Sequence, residues 1–144
     1  MVILLIISYI IFLKYKIKIL MLKLLKKQFL IHKPKKKPFF TVITVVKNSQ
    51  KNIIRTIDSI EKQNFKNFEY IVIDGGSEDE TIKNILVKKK RINIFISKKD
   101  KGIYDAMNKG IKISKGKILV FLNSGDKFTK NGLKIVYKKY LENP

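Results

Sequence analysis

The sequence contains no cysteine, one histidine (His32) and only two arginines, Arg55 and Arg91, in 144 residues. Without cysteine there is no disulfide scaffold, no thiolate metal site and no cysteine nucleophile. One histidine excludes a histidine-rich metal centre, and His32 lies in a basic stretch where it reads as solvated. Lysine is left to carry almost all of a net charge of +21. Such a charge points first to a basic nucleic-acid-binding module. The shortage of arginine argues against it, because arginine supplies the bidentate forks that read bases and phosphates. The nine phenylalanines fall mainly in apolar runs and offer no stacking face. We therefore expect no nucleic-acid partner.

Acid is absent from the first 38 residues, which carry ten lysines. Residues 1–13, MVILLIISYIIFL, are apolar but short. A helix of that length spans roughly 20 Å, against roughly 30 Å of hydrocarbon. Ile17, Leu20, Met21, Leu24 and Leu25 then repeat at helical spacing, with Lys23, Lys26 and Lys27 mostly off that face. No basic region precedes the apolar run and no small-residue cleavage site follows it, so this is not a good secretory signal. The expectation is an apolar, basic N-terminal helix within residues 1–32 that associates with a membrane surface. The lysines on its C-terminal side would place the remainder at the cytoplasmic face of the membrane, or the chain is cytoplasmic. KPKKKP at 33–38 can neither continue a helix nor pack a core, and reads as a linker.

Residues 39–144 change character. FFTVITVV (39–46) is nearly all apolar and β-branched, the pattern of a strand buried on both faces. Ile53, Ile54, Ile57 and Ile60 repeat at helical spacing to about Gln63. Phe68 to Ile73 reads as a second strand, and Ser77 with Glu80 as a capping box opening a helix to about Lys89. Lys88 to Arg91 reads as its solvated end. Residues 92–96 form a third strand and 103–114 a helix stopped by Gly116, with Met107 packing inward beside Ile103, Ala106 and Ile111. A strand at 117–122 and a helix from about Lys130 to Leu141 complete the pattern. Alternating strands and helices imply right-handed βαβ units, an α/β fold with a mostly parallel sheet.

In such sheets the ligand lies beyond the carboxyl ends of the strands. The loops there are Lys47-Asn48-Ser49, Asp74-Gly75-Gly76-Ser77, Ser97 to Gly102, and Asn123-Ser124-Gly125-Asp126. Gly75 and Gly76 would admit close backbone approach, and the capped helix after Ser77 would offer free N–H groups. Asp74 and Asp126 end strands on one rim, which suits a nucleotide diphosphate held through Mg²⁺ or Mn²⁺. Gly, Asp, Asn and Ser also dominate ordinary turns. Neither G-x-G-x-x-G nor G-x-x-x-x-G-K-[ST] follows the first strand, so a dinucleotide dehydrogenase and a P-loop NTPase are disfavoured. A nucleotidyltransferase-like domain would call for a glycine-rich, basic first loop, which Val46-Lys47-Asn48 does not supply.

TVITVVKNS, SIEKQNFKNFEYIVIDGGSEDET and DKGIYDAMNKGIKISKGKILVFLNSGD, in that order, resemble the family 2 glycosyltransferases of the GT-A fold. The subgroup it is similar to builds bacterial cell-surface polysaccharides. The resemblance covers about residues 41–128 and implies a Rossmann-like nucleotide-sugar-binding half. It implies a nucleotide-diphosphate sugar donor, a saccharide or lipid-linked saccharide acceptor, a divalent metal and an inverting displacement. It places Val46 and Asn48 at the nucleobase pocket and Asp74, with Gly76 and Ser77, after the second strand. Asp100, Gly102, Asp105 and Asn108 fall in the segment that closes over the donor, with Asn123 in the last loop and Asp126 as the metal ligand. Gly75 stands where many members carry a second Asp, and the acidic cluster after the fourth strand is reduced to N-S-G-D. The family's catalytic base comes well after that motif. The expectation is therefore the donor-binding part of an enzyme, with the base beyond Pro144 and weak or no activity alone.

Overall fold

The computed structural model describes residues 29–30 and 37–144. In chain order these form β1 (Phe29–Leu30), β2 (Phe40–Val46), α1 (Ile53–Glu61), β3 (Phe68–Asp74), α2 (Thr81–Val87), a 3₁₀ turn (Lys89–Arg91), β4 (Ile94–Ser97), α3 (Ile103–Ile113), β5 (Ile118–Phe121) and α4 (Gly132–Glu142). The sheet order is β1-β4-β3-β2-β5. β2 runs parallel to both β3 and β5, and β3 parallel to β4. Only β1 is antiparallel, Phe29 opposite Phe95 and Leu30 opposite Ile94. This is the mostly parallel α/β architecture expected from the alternation of strands and helices.

β2 is central because its sequence tolerates burial on both faces. All seven of its residues are buried. Phe40, Val42 and Val46 join one core with Ile53, Ile57 and Ile60 of α1, Ile85 of α2 and Leu133 of α4. Ile43 and Val45 point the opposite way, toward Ala106 and Met107 of α3. The two polar residues of β2 are satisfied. The Thr41 hydroxyl donates to Glu69 at 2.6 Å and the Thr44 hydroxyl to the Leu122 carbonyl at 2.8 Å. Tyr70, fully buried on β3, donates its hydroxyl to Thr44 at 3.0 Å, and burial raises its pKa.

α3 can sit close to β2 because residue 110 is glycine. A Cβ there would lie 2.7 Å from the Ile43 Cγ2, in a part of the core with no room to yield. β5 has no further strand beyond it among the described residues, and its Leu119 and Phe121 are 37% and 38% exposed.

Three local expectations are corrected. Ser77 and Glu80 do not form a capping box: α2 starts at Thr81 and its first turn has no side-chain cap from Glu80. The Ser77 hydroxyl is drawn instead to the Asp74 carboxylate. The helix also ends at Val87, where the 3₁₀ turn takes over. The third strand starts at Ile94, because the Asn93 side chain takes the Tyr70 N–H at 2.8 Å in place of a strand partner. The expected helix in residues 1–32 lies outside the described residues, apart from Phe29 and Leu30, which are extended. Among the described residues, no helix is long and apolar enough to cross a membrane.

Candidate functional site

The parallel register brings Val46, Asp74 and Ser97 to one level, so the loops after β2, β3 and β4 leave the same rim. The first two loops are fastened together by side chains. Asn48 takes a left-handed φ of 47°, which its short polar side chain tolerates. Its N–H donates to Ser77 Oγ at 2.8 Å, and its Oδ1 accepts the Glu78 N–H at 2.9 Å. Gln50 Oε1 accepts the Glu80 N–H, and Ser49 N–H donates to Thr81 Oγ1 at 2.7 Å. Hydrogen bonds from Thr81, its hydroxyl foremost, hold Asp79 below the usual carboxylate range.

Asp74 is fully buried. Its carboxylate accepts the Gly76 N–H at 3.1 Å, the Ser77 N–H at 3.1 Å, the Ser77 hydroxyl and the Ser97 hydroxyl at 2.7 Å. Gly76 makes this wrap possible with a φ of 83°. The N–H groups expected to be free after Ser77 are thus largely taken, Glu78 by Asn48, Glu80 by Gln50 and Thr81 by Asp79, while Asp74 takes those of Gly76 and Ser77. Asp74 ties β3 to β4 and organises the rim from within.

Beside it opens a cavity of about 440 Å³, lined by Val45, Val46, Lys47, Asp100, Gly102 and Ala106, with Lys101 and Ile103 at the entry to α3. Of the expected site residues it unites Val46, Asp100 and Gly102. Asp100 Oδ1 accepts the Gly102 N–H at 3.1 Å, and the Asp100 carboxylate fills the space that a Cβ on Gly75 would need. Asp105 supports this segment from one turn into α3. It accepts the Lys101 N–H at 3.1 Å and pairs with Lys109 at 3.0 Å. The Lys101 hydrogen bond first, then Lys109, lowers its pKa. Asn108 is exposed on α3 and does not line the cavity.

The loop after β5 closes the other side. Ser124 N–H donates to the carbonyl of Val45, a cavity residue, and its hydroxyl meets that of Ser49 at 2.7 Å. Asp126 is exposed, and its N–H donates to the Asn123 carbonyl at 3.0 Å. Asn123 Oδ1 is buried and has no hydrogen-bond partner. Among the described residues no three His, Cys, Asp or Glu side chains converge.

Sequence reasoning overlooked what holds this loop. The buried Thr56 hydroxyl donates to the Asp126 carbonyl and accepts the Gly125 N–H, both at 2.9 Å. Arg55 donates to the Gly125 carbonyl at 3.2 Å, Ser59 accepts the Phe128 N–H, and buried Gln63 donates to the Thr129 carbonyl at 2.7 Å. A signal existed: Thr56 and Gln63 sit three residues after Ile53 and Ile60, polar residues that continue the apolar side of α1, one within the helix and one just past its end.

The sequence profile of glycosyl transferase family 2 matches residues 41–144. The chain belongs to that family. An uncharacterized glycosyltransferase of Mycobacterium tuberculosis is 38% identical over 93 residues, 64% of this chain and 36% of the relative. A Rickettsia felis glycosyltransferase, also uncharacterized, is 41% identical over 105 residues, 72% of this chain and 17% of the relative. Among solved structures, Staphylococcus aureus TarS 1–349 with UDP-GlcNAc superposes with a TM-score of 0.66 at 28% identity, covering 72% of this chain and 31% of that 1–349 chain. A Pyrobaculum calidifontis mannosyltransferase, solved with GDP-Man and Mn²⁺, shares the fold: TM-score 0.67, 21% identity, 84% of this chain and 37% of that one. The family member described here therefore spans about a third or less of the relatives it matches.

Proposed function

We propose that this chain forms the nucleotide-sugar-binding part of a family 2 glycosyltransferase, acting with a divalent cation. The observation that carries the reading is the 440 Å³ cavity at the strand ends, between Val46 on one side and Asp100 to Ala106 on the other. Val45 and Val46 offer an apolar wall for a base, and Lys47 and Lys101 offer positive charge for a diphosphate. The name of the TarS complex supports a UDP-sugar donor, and that of the mannosyltransferase complex supports a metal.

The residues present fit a hard cation. Asp126 supplies an exposed carboxylate, and Asn123 Oδ1 is a buried oxygen in want of a partner. A site of one carboxylate completed by substrate phosphates and water suits Mg²⁺ or Mn²⁺. When bound, such an ion offsets the charge that gathers on a departing diphosphate. The protein's own part is to keep Asp126 in place through Thr56 and to keep the Asp100–Gly102 turn folded through Asp105.

The acceptor we expect is a saccharide or lipid-linked saccharide in cell-surface polysaccharide assembly, reached at the cytoplasmic face of the membrane. The lysine-rich, acid-free residues 1–38 support that location. The carboxylate that lines the cavity, Asp100, is engaged by the Gly102 N–H. Asp105 is committed to Lys109, and Glu142 pairs with Lys139 near the end of α4. Transfer is accordingly proposed for the complete enzyme, and donor binding for this part.

Calorimetry with UDP and GDP, with and without Mn²⁺, tests the reading. Metal-dependent binding that weakens at least about 10-fold in Asp126→Ala is expected, since that exposed carboxylate is the charged ligand proposed for the ion. Binding indifferent to both the metal and the substitution would refute it.

A further inference from the structure

A second and larger cavity, about 760 Å³, lies between the outer side of α1 and the loop that follows Asp126. Lys51, Arg55 and Lys62 line it from the α1 side, and Lys127 and Lys130 from the loop side. Its volume lies in the range of small-ligand sites, which run from about 300 to 1,000 Å³. It shares no lining residue with the cavity at the strand ends. The two lie on opposite faces of the sheet, since α1 packs with Phe40 and Val42 whereas α3 packs with Ile43 and Val45.

The charge here is uncompensated. All eleven acidic side chains of the chain are among the described residues. Asp58 alone lines the cavity, and it is committed to Lys88 at 2.6 Å. Lys51, Lys62, Lys127 and Lys130 make no ion pair with any of these acids, and the residues outside the described part hold none. Arg55 is held against the wall by its bond to the Gly125 carbonyl, a neutral partner that leaves its charge and its other donors available. Partly buried Ile54 and Phe128, both packed on the core, give the cleft an apolar base.

We propose that this cleft binds a phosphate group carried on a soluble saccharide or polyol. Several cations facing one another across a gap repel until an anion enters, and phosphate accepts hydrogen bonds from several at once. The apolar base receives the carbon skeleton of the carrier. Cations on both walls of a cleft favour a ligand that enters it over a flat bilayer, which reaches only the rims. The inference is separate from donor binding and concerns a different face of the sheet.

The full chain, titrated with glucose 6-phosphate and followed by amide NMR shifts, provides the test. Shifts are expected at Lys51, Phe128 and Thr129, not at Val46 or Gly102, and unphosphorylated glucose should produce none. Lys62→Glu/Lys130→Glu should weaken binding at least about 10-fold, because bonds to charged groups are the strong ones. Lys62→Ala/Lys130→Ala should weaken it less while leaving the fold undisturbed. Lys134→Glu/Lys138→Glu, the same charge change on exposed positions of α4, should leave it unaltered. Three results would overturn the proposal: no shift at the cleft, equal loss in the α4 control, or cleft shifts only with phosphatidylglycerol vesicles. A UDP titration in parallel scores the donor reading independently, since its failure would silence the Val46 and Gly102 amides and leave the cleft signals intact.

Discussion

Replacing Thr56 by valine removes one hydroxyl and keeps the shape. In the folded chain that hydroxyl is buried and makes two bonds of 2.9 Å, one to the Asp126 carbonyl and one from the Gly125 N–H. Valine leaves a donor and an acceptor without partners. Each such loss costs about 1–3 kcal/mol when the orphaned group stays buried, and less where water reaches it. The loop lies at the rim, so part of the loss is recovered and about 2 kcal/mol is expected overall. Thr56→Ser keeps both bonds and loses one methyl group, about 0.8 kcal/mol. The comparison separates packing from loop-holding. Urea unfolding gives the stability difference, and amide exchange at Gly125 reads the bond directly. Thr56→Val should speed exchange at Gly125 and weaken Mn²⁺-dependent UDP binding, whereas Thr56→Ser should do neither. Unchanged Gly125 exchange in Thr56→Val would refute the idea that α1 holds the Asp126 loop.

Two further outcomes follow from the rim. Asp74→Asn turns an amide donor toward N–H and hydroxyl groups that already donate, and should cost about 2–4 kcal/mol in denaturant titrations with increased exchange at Ser77. Asp105 has a pKa depressed below the ordinary 3.8 by Lys101 and Lys109, so its stabilising effect is complete above that value and is lost as pH falls through the lower folded-state value. Protection of the Lys101 amide should therefore persist at pH 3.8 and vanish only in stronger acid, and Asp105→Asn should abolish that pH dependence.

Much of the fold was legible because its signals are local. FFTVITVV announces a strand buried on both faces, and β2 is buried throughout. The isoleucine spacing of α1 is a 3.6-residue period and appears as a helix with Ile53, Ile57 and Ile60 inside. The strand-helix alternation determined the parallel sheet and therefore which loops share a rim. Ser77 shows the limit of the same reasoning. S-x-x-E is a sound local cap, yet Asp74, three residues upstream and buried, competes for the Ser77 hydroxyl and wins it. A buried carboxylate left without donors costs more than an uncapped, solvent-exposed helix end.

The sequence by itself determined the family, the α/β class, the rim loops and the residues available for chemistry there. Tertiary structure alone decided how those residues are used. It turned Asp74 inward, filled the space beside Gly75 with Asp100, and clamped the Asp126 loop to Thr56 and Gln63 about seventy positions away. It also gathered five cations from α1, its two flanks and a distant loop around one cleft. These pairings join residues far apart in the chain. They depend on strand register and on the seating of helices against the sheet, which burial of the whole core sets and no short stretch of sequence encodes.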